Sequence, residues 1–282
     1  MGETVVCGFG HSAVAVISEV RRLFLSGDSP LARITLARQA AFTIDGSADV
    51  SSVLVGEEAV IAARQTWDSV IIIVDQSDAD AVRHAAKAGD ASREAGSSLV
   101  VGICSELVAS DRLETTLQPD MQRSLRTALD SLVMVETGSH PGNDRAQVTR
   151  VAYTLVAATL GHRVNLIDID LSDLKEALRG WAVAAVTRNY CAETKMIGGA
   201  SAFDGRIDLT PSLAENPRGL FCSYGASLDR LRLEDFESVG SVIQEELRRV
   251  YPMHDVTIVV ACLADNSLDQ ASEVVTCLAF DG

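Results

Sequence analysis

A glycine-containing turn follows the first apolar segment of the chain. The residues Gly8-Phe9-Gly10-His11-Ser12 come directly after an apolar run and before a helical pattern. Nucleotide-binding proteins often hold phosphate at such a strand–helix turn, because backbone amides and the helix N-terminus attract anions. Only Gly8 and Gly10 are present, and Ala13 stands where the third glycine of the usual pattern would be. The sequence therefore favours a tight turn without ligand over a phosphate site.

An acidic loop follows the third strong apolar segment, where a nucleotide-binding domain needs a second phosphate loop. Its residues, Asp75-Gln76-Ser77-Asp78-Ala79-Asp80, include three carboxylates and no glycine. One carboxylate a few ångströms from a phosphate costs on the order of 1–4 kcal/mol, depending on screening. Glycine is also what lets backbone amides approach a phosphate closely. A divalent cation could bridge the carboxylates to phosphate, but the favoured interpretation is an acidic helix N-terminus that the helix dipole stabilises.

The richest polar cluster is Asp168-Ile169-Asp170-Leu171-Ser172-Asp173. Asp170 and Asp173 are three residues apart, so both can project from the same side of a helix start. An aspartate directly before periodic apolar residues is typical of an N-cap. Carboxylates also suit hard cations, so a magnesium site is the other interpretation that these residues allow on their own.

The cysteines and histidines show no spacing typical of a metal, redox or catalytic-triad site. Six cysteines are scattered without a CxxC pair, and five of them lie in apolar runs, where cysteine usually serves as a small buried hydrophobe. The five histidines lie far apart in the sequence. We therefore assign neither metal ligands nor catalytic residues.

The formal net charge of the chain is −15. It disfavours direct nucleic-acid binding, because an acidic surface repels phosphate backbones. It also opposes self-association at low salt, so salt or cations should matter to any polymer. The first residues lack the basic start of a signal peptide, and no apolar run approaches the ~20 residues of a membrane helix. The sequence therefore predicts a cytoplasmic protein without membrane insertion.

Short apolar segments alternate with helical patterns in the first half of the chain. This alternation predicts an α/β fold whose residues 1–142 form a doubly wound parallel sheet with helices on both faces. The predicted strands are Thr4–Phe9, Arg33–Ala37, Ser69–Val74, Ser98–Cys104 and Ser131–Val135. The predicted helices are Ala13–Leu25, Ala79–Ala95 and Asp120–Leu129.

A helix that is apolar over much of its surface is predicted over Asp144–Gly161. Such a helix is buried between layers, so residues 143–162 are interpreted as a central helix that joins two domains. Leu155 is expected in that interface and Arg150 on the most solvated side of the helix. Residues 163–282 predict a smaller mixed-sheet α/β domain with strands at Trp181–Val186, Gly219–Tyr224, Val256–Ala264 and Glu273–Ala279 and a long helix at Leu233–Val250.

The order of these elements and several C-terminal segments resemble the FtsZ/tubulin superfamily. The strongest local similarity is between RGLFCSYGASLDRLRLEDFESVG, starting at Arg218, and the strand–loop–helix segment of FtsZ. The later VTIVVACLADNSLDQASEVVTCLAFDG resembles the last hairpin of that family, and LIDIDLSDLK resembles a loop of that family that contains two aspartates. The resemblance covers most of the chain and is closer in the C-terminal part.

The resemblance implies that the segment LIDIDLSDLK contacts a neighbouring subunit. In the FtsZ family this loop inserts into the nucleotide site of the next subunit, where two aspartates help to hydrolyse GTP. By position these aspartates are Asp170 and Asp173, and Asp168 falls on the family's asparagine. The three residues form a predicted assembly loop, for which N-capping remains the alternative interpretation.

The departures from the family pattern predict that ordinary GTP binding is lost. The glycine-rich signature of FtsZ falls on VDQSDADA and is absent. Gly8, Gly10, Asp75, Ser77 and Asp78 are therefore interpreted as vestigial nucleotide loops, and no cofactor is expected.

The sequence thus predicts a divergent, bacterial FtsZ-like protein of a cytoskeletal superfamily associated with cell division. It would assemble with itself head to tail into protofilaments or dock on an FtsZ-type partner. One alternative is an unusual magnesium-dependent GTPase, which would bind GTP and magnesium. The other is a monomeric regulator of FtsZ assembly.

Overall fold

The computed structural model describes most of the elements predicted from the sequence. Its described residues are 4–26, 40–42, 66–108, 119–136, 144–159, 169–190, 216–252, 254–265, 267–268 and 271–280. The predicted strand Arg33–Ala37 and the assembly-loop residue Asp168 lie outside these ranges.

One sheet runs through the described part of the chain. Its nine strands follow the order β2-β1-β3-β4-β5-β6-β9-β7-β8. Neighbours from β2 to β6 are parallel, whereas β9 is antiparallel to both β6 and β7. The strands are β1 Thr4–Phe9, β2 Ala40–Phe42, β3 Ser69–Val74, β4 Leu99–Val108, β5 Ser131–Glu136, β6 Gly180–Tyr190, β7 Pro217–Ala226, β8 Thr257–Ala264 and β9 Ala271–Phe280.

Helices cover both faces of this sheet. They are α1 His11–Ser26, α2 Ala79–Glu94, α3 Pro119–Ala128, α4 Asp144–Thr159, α5 Leu171–Leu178 and α6 Leu233–Val250. Residues of α1, α4 and α5 share one apolar core with Ile71 and Ile73 of β3, and residues of α2, α3 and α6 share the other core with Ile72. Strand β3 is buried along its whole length, as expected for a central parallel strand of β-branched residues. The predicted α/β fold, with its doubly wound parallel part and smaller mixed part, is confirmed.

Helix α4 is the central helix. From Val148 to Thr159 each of its residues is buried, and most of them are apolar or small side chains that occupy all sides of the helix rather than one stripe. Leu155 is 1% exposed and belongs to a core that also contains Val6 of the first strand and Phe221 of β7. The two halves of the chain therefore share one hydrophobic core around α4.

The sheet crosses the predicted boundary between the two halves without a break. Ser131 to Val135 of β5 pair in parallel register with Gly180 to Ala184 of β6. Strand β5 precedes the central helix and β6 follows it, so hydrogen bonds join the two parts directly. The division into residues 1–142, 143–162 and 163–282 stays a prediction.

The prediction that the last two strands form a hairpin is wrong. Strands β8 and β9 follow one another in sequence, but β7 lies between them in the sheet. Strand β9 is buried on both faces and pairs on both sides, whereas β8 is partly exposed and ends the described sheet. The last two strands are therefore separate neighbours of β7 rather than the two arms of a hairpin.

Candidate functional site

The predicted nucleotide turn lies at the carboxyl ends of β1 and β3. Gly10 has φ +91°, a backbone conformation that glycine adopts without steric cost. A Cβ at Gly10 would lie 2.3 Å from Cβ of Asp75, and one at Gly8 would lie 2.4 Å from Cδ1 of Ile17. Gly8 therefore lets α1 pack closely on β1, and Gly10 lets the acidic loop approach the turn.

Asp75 points into the N-terminus of α1. Its carboxylate accepts a hydrogen bond from the backbone amide of Ser12 at 3.2 Å, and others from the amide and hydroxyl of Ser77 at 3.2 and 2.6 Å. The Asp75 amide donates to the carbonyl of Phe9 at 2.9 Å. The hydroxyl of Ser12 also lies 2.5 Å from that of Ser105 in β4. These contacts place a buried carboxylate at the end of the helix where a doubly wound domain commonly binds phosphate.

The charge of Asp75 is stabilised by its surroundings. Burial alone would raise the pKa of Asp75, but the hydrogen bonds from Ser77 and Ser12 outweigh burial and hold the pKa below its ordinary value. Asp75 is therefore an anion at neutral pH, and it is 7% exposed.

The N-terminus of α2 is occupied in the same way. Asp78 is its N-cap, and its carboxylate accepts hydrogen bonds from the amides of Asp80 and Ala81 at 2.9 and 3.2 Å. Asp78 and Asp80 are exposed, and Asp80 forms an ion pair with Arg83. The helix dipole favours these negative charges at its N-terminus. At both helix N-termini of this edge, a carboxylate of the chain itself takes the position of an external anion.

We expect Asp75→Ala to lower the free energy of unfolding by about 1–3 kcal/mol at pH 7, because hydrogen bonds to a charged, buried group are lost. The folded-state pKa of Asp75 is lowered, so its stabilisation is present above the unfolded-state pKa and is lost as the pH falls through the folded-state value. The difference from the unmodified protein should therefore shrink below about pH 4. Urea unfolding at several pH values measures it. Asp90→Ala, at an exposed position of α2, is the control, and an equal effect at both positions would contradict this role of Asp75.

The predicted assembly loop is described only in part, since Asp168 lies outside the described residues. Asp170 is the N-cap of α5 and accepts hydrogen bonds from the amide and the hydroxyl of Ser172, both at 2.8 Å. These bonds lower the pKa of Asp170. Asp170 and Asp173 are both exposed. The capping geometry is therefore present at Asp170, and both carboxylates remain accessible from outside the molecule.

An ionic cluster that the sequence analysis missed joins α4 to the end of the chain. Arg150 was expected on the solvated side of α4, but it is 5% exposed. Its Nη2 donates to Asp265 and its Nε to Glu273, each at 2.6 Å, and its guanidinium lies 5.0 Å from the ring centroid of Tyr153. Burial alone would lower the pKa of Arg150, but Glu273 and Asp265 outweigh burial and raise it. An arginine within the apolar part of a helix and a single glutamate in an apolar strand were the available signals.

The cysteines and the possible metal ligands give no further candidate site among the described residues. The thiols of Cys7, Cys104, Cys222, Cys262 and Cys277 are buried, and burial raises the pKa of Cys7 to about 12, which makes that thiol a poor nucleophile. Within the described ranges, His, Cys, Asp and Glu side chains form no group of three that could hold a metal ion. None of the described helices combines the length and apolar character needed to cross a membrane.

Comparison with known proteins identifies the fold. The sequence matches no protein-family model and no curated protein. Among solved structures, a tryptophan-to-tyrosine mutant of FtsZ from M. jannaschii has a TM-score of 0.60 at 16% identity, over 99% of this chain and 91% of that chain. The chain has the FtsZ/tubulin fold. The family resemblance inferred from sequence is thus confirmed at the level of the fold.

Two further structures with this FtsZ/tubulin fold are similar over nearly the whole chain. An empty FtsZ dimer from M. jannaschii gives a TM-score of 0.61 at 17% identity, covering 99% of this chain and 88% of that chain. CetZ2 from Haloferax volcanii, in a GTPγS-bound protofilament, gives 0.58 at 13% identity, covering 99% of this chain and 93% of that chain. At such low identity the similarity is one of fold, and the site residues must be interpreted from their own geometry.

Proposed function

We propose that this protein is an FtsZ/tubulin-like cytoskeletal or scaffold protein that has lost ordinary GTP binding. It assembles with itself head to tail or docks on an FtsZ-type partner. The observation that carries the proposal is the occupation of both helix N-termini by carboxylates of the chain, Asp75 at α1 and Asp78 at α2. The fold similarity to an FtsZ dimer and to a CetZ2 protofilament supports assembly as the activity that remains.

The geometry opposes a nucleotide phosphate at this edge on two grounds. A phosphate at the start of α1 would compete with the carboxylate of Asp75 for the amide of Ser12. It would also meet like charge from Asp75, at a cost on the order of 1–4 kcal/mol per charge depending on screening. Asp75 cannot withdraw without breaking its bonds to Ser77 and the close contact with Gly10. The cost therefore combines repulsion with a local rearrangement.

Nucleotide binding is expected to be absent or very weak. Titration calorimetry with GTP, GDP and ATP, each with magnesium, should give no dissociation constant in the micromolar range. A micromolar constant for a guanine nucleotide would contradict the proposal. If GTP were also hydrolysed, that result would favour the magnesium-dependent GTPase.

Assembly is tested by sedimentation and negative-stain imaging of concentrated protein without nucleotide. Filaments or pelleted oligomers of the pure protein would support self-assembly. Pelleting only together with FtsZ filaments would support docking on an FtsZ-type partner. A protein that stays monomeric and reduces the pelleting of FtsZ would be a regulator of FtsZ assembly instead.

Replacing Asp170 and Asp173 together by serine is expected to change assembly with little change in melting temperature. Serine is also a good N-cap, so Asp170→Ser keeps an acceptor for the amide of Ser172 while it removes the charge. Pelleting and thermal unfolding of the same samples provide the two measurements. Asp170→Ala, which removes the cap, is the matched control. Unchanged pelleting of the serine variant would assign these residues to capping alone.

A further inference from the structure

A strongly basic groove lies at the amino ends of the parallel strands. The acidic loop, residues 75–80, lies at the other side of the sheet, where the carboxyl ends of these strands are. The groove has a volume of about 920 Å³, and it lies beside the amino ends of β5 and β6. Five cationic side chains line it, namely Arg93, Arg123, Arg126, Lys175 and Arg179. In a chain with a net charge of −15, such a concentration of positive charge favours an anionic partner at this place.

The acidic residues in the groove are already paired. Nζ of Lys175 lies 3.1 Å from Asp130, and Glu176 lies 2.9 Å from Arg218. In the part of the chain that the structure describes, Arg123 and Arg179 have no acidic partner, and both side chains are exposed. The groove therefore retains positive charge that is available to another molecule.

Helix α2 connects the groove to the acidic loop. Its N-terminus carries the exposed carboxylates of Asp78 and Asp80, and its last turn carries Arg93, which lines the groove. The helix has 16 residues, which corresponds to a length of about 24 Å. Two surfaces of opposite charge thus lie at the two ends of one rigid element.

We propose that the groove binds the acidic loop of a second copy of this chain, so that subunits stack along the direction of α2. This inference rests on the proposed self-assembly and names the two surfaces that meet. The contact joins two different surfaces of the same molecule, so each bound copy leaves one free groove and one free loop. A contact of this kind forms rings or open filaments rather than closed dimers.

The charges give the contact a direction and a salt dependence. The carboxylates of Asp78 and Asp80 meet the guanidinium groups of Arg123 and Arg179, which can bind carboxylates with two parallel hydrogen bonds. Asp80 then exchanges its exposed ion pair with Arg83 for one across the contact. Salt screens exposed charges beyond about 8–10 Å near physiological ionic strength. Association is therefore expected to weaken as salt is added. Repulsion between the net charges alone would give the opposite trend.

Two variants, each with two charged side chains replaced by uncharged amides, test the contact by sedimentation velocity at low salt. The groove variant is R123Q/R179Q and the loop variant is D78N/D80N, in which asparagine at position 78 keeps the cap acceptor. Each variant alone should need at least tenfold more protein to associate than the unmodified chain. The controls change the same number of charges at exposed positions outside both surfaces: R232Q/R248Q and E237Q/E245Q. They should associate as the unmodified chain does, and melting temperatures establish that all variants are folded.

An equimolar mixture of the two variants gives the sharpest result. The intact loop of the groove variant can dock in the intact groove of the loop variant, but the resulting pair has no complete surface left for extension. The mixture should therefore form a 1:1 dimer, detectable as a single species of twice the monomer mass. Absence of this dimer, or association of each variant alone at the concentration of the unmodified chain, would overturn the proposal.

The remaining outcomes separate this inference from the proposed function. If the unmodified chain associates and both variants associate equally well, the inference is wrong and self-assembly stands. If the unmodified chain does not associate at low salt, self-assembly fails and the inference fails with it. If pyrophosphate binds the unmodified chain but not the groove variant, and the groove variant still assembles, the groove is a site for small anions and the inference is wrong.

Discussion

Arg150→Met is expected to lower the free energy of unfolding by about 3–5 kcal/mol, because it leaves two buried carboxylates without their cation. The side chains of Arg150, Asp265 and Glu273 are 6%, 4% and 2% exposed, so water cannot replace the lost partner. The substitution also removes the contact of the guanidinium with the ring of Tyr153. Since a domain is commonly stable by only about 5–15 kcal/mol, the loss should be obvious in urea unfolding.

The triple variant R150M/D265N/E273Q tests whether the loss comes from unpaired charge. The neutral amides at positions 265 and 273 remove the uncompensated buried charges that make the loss of a single partner so costly. The triple variant should therefore be more stable than Arg150→Met. Arg145→Met, at an exposed position in the first turn of α4, is the control and should change stability by less than about 0.5 kcal/mol. A triple variant less stable than the single one would show that specific hydrogen bonds dominate.

Leu155→Asp is expected to make the protein insoluble or to split its unfolding into two transitions. Leu155 is 1% exposed in a core that joins α4 to both halves of the sheet. A buried charge without a partner costs several kcal/mol, and this one would act on the packing that holds the halves together. Leu155→Ala gives a soluble measure of the same contact, with an expected loss of about 2–5 kcal/mol in thermal or urea unfolding.

Ala146→Asp is the matched control for the added charge. Ala146 lies in the first turn of α4 and is exposed, where a negative charge interacts favourably with the helix dipole. It should leave solubility and melting temperature almost unchanged. If Leu155→Asp also gave a soluble protein with a single unshifted transition, the assignment of α4 as the central helix of the core would be contradicted.

Local pattern in the sequence was enough for most of the fold. The predicted strands Thr4–Phe9 and Ser69–Val74 agree with the structure in both bounds, and the helix Leu233–Val250 does as well. Such elements are set by the period of apolar residues along a short segment. The continuous apolar surface of α4 likewise predicted its burial, because no single side of that helix can face water without exposing apolar groups.

The pairing of distant charges was decided by the tertiary structure alone. Arg150 is 115 residues from Asp265 and 123 from Glu273, and helical spacing by itself placed it on the solvated side. Asp75 and Ser12 are 63 residues apart, so the sequence could identify an acidic loop but not the carboxylate at the start of α1. The crossing of β9 to the far side of β7 was hidden in the same way.

What the sequence by itself determined is therefore the type of each element, the buried central helix and the absence of a glycine-rich phosphate loop. What only the tertiary structure decided is which polar groups meet. The physical reason is that periodicity reports the surroundings that one segment requires. The partner of a buried charge depends instead on how strands are ordered in the sheet and on which loops end at the same edge. Asp75 at α1, and the groove and the acidic loop at opposite ends of α2, follow from that arrangement.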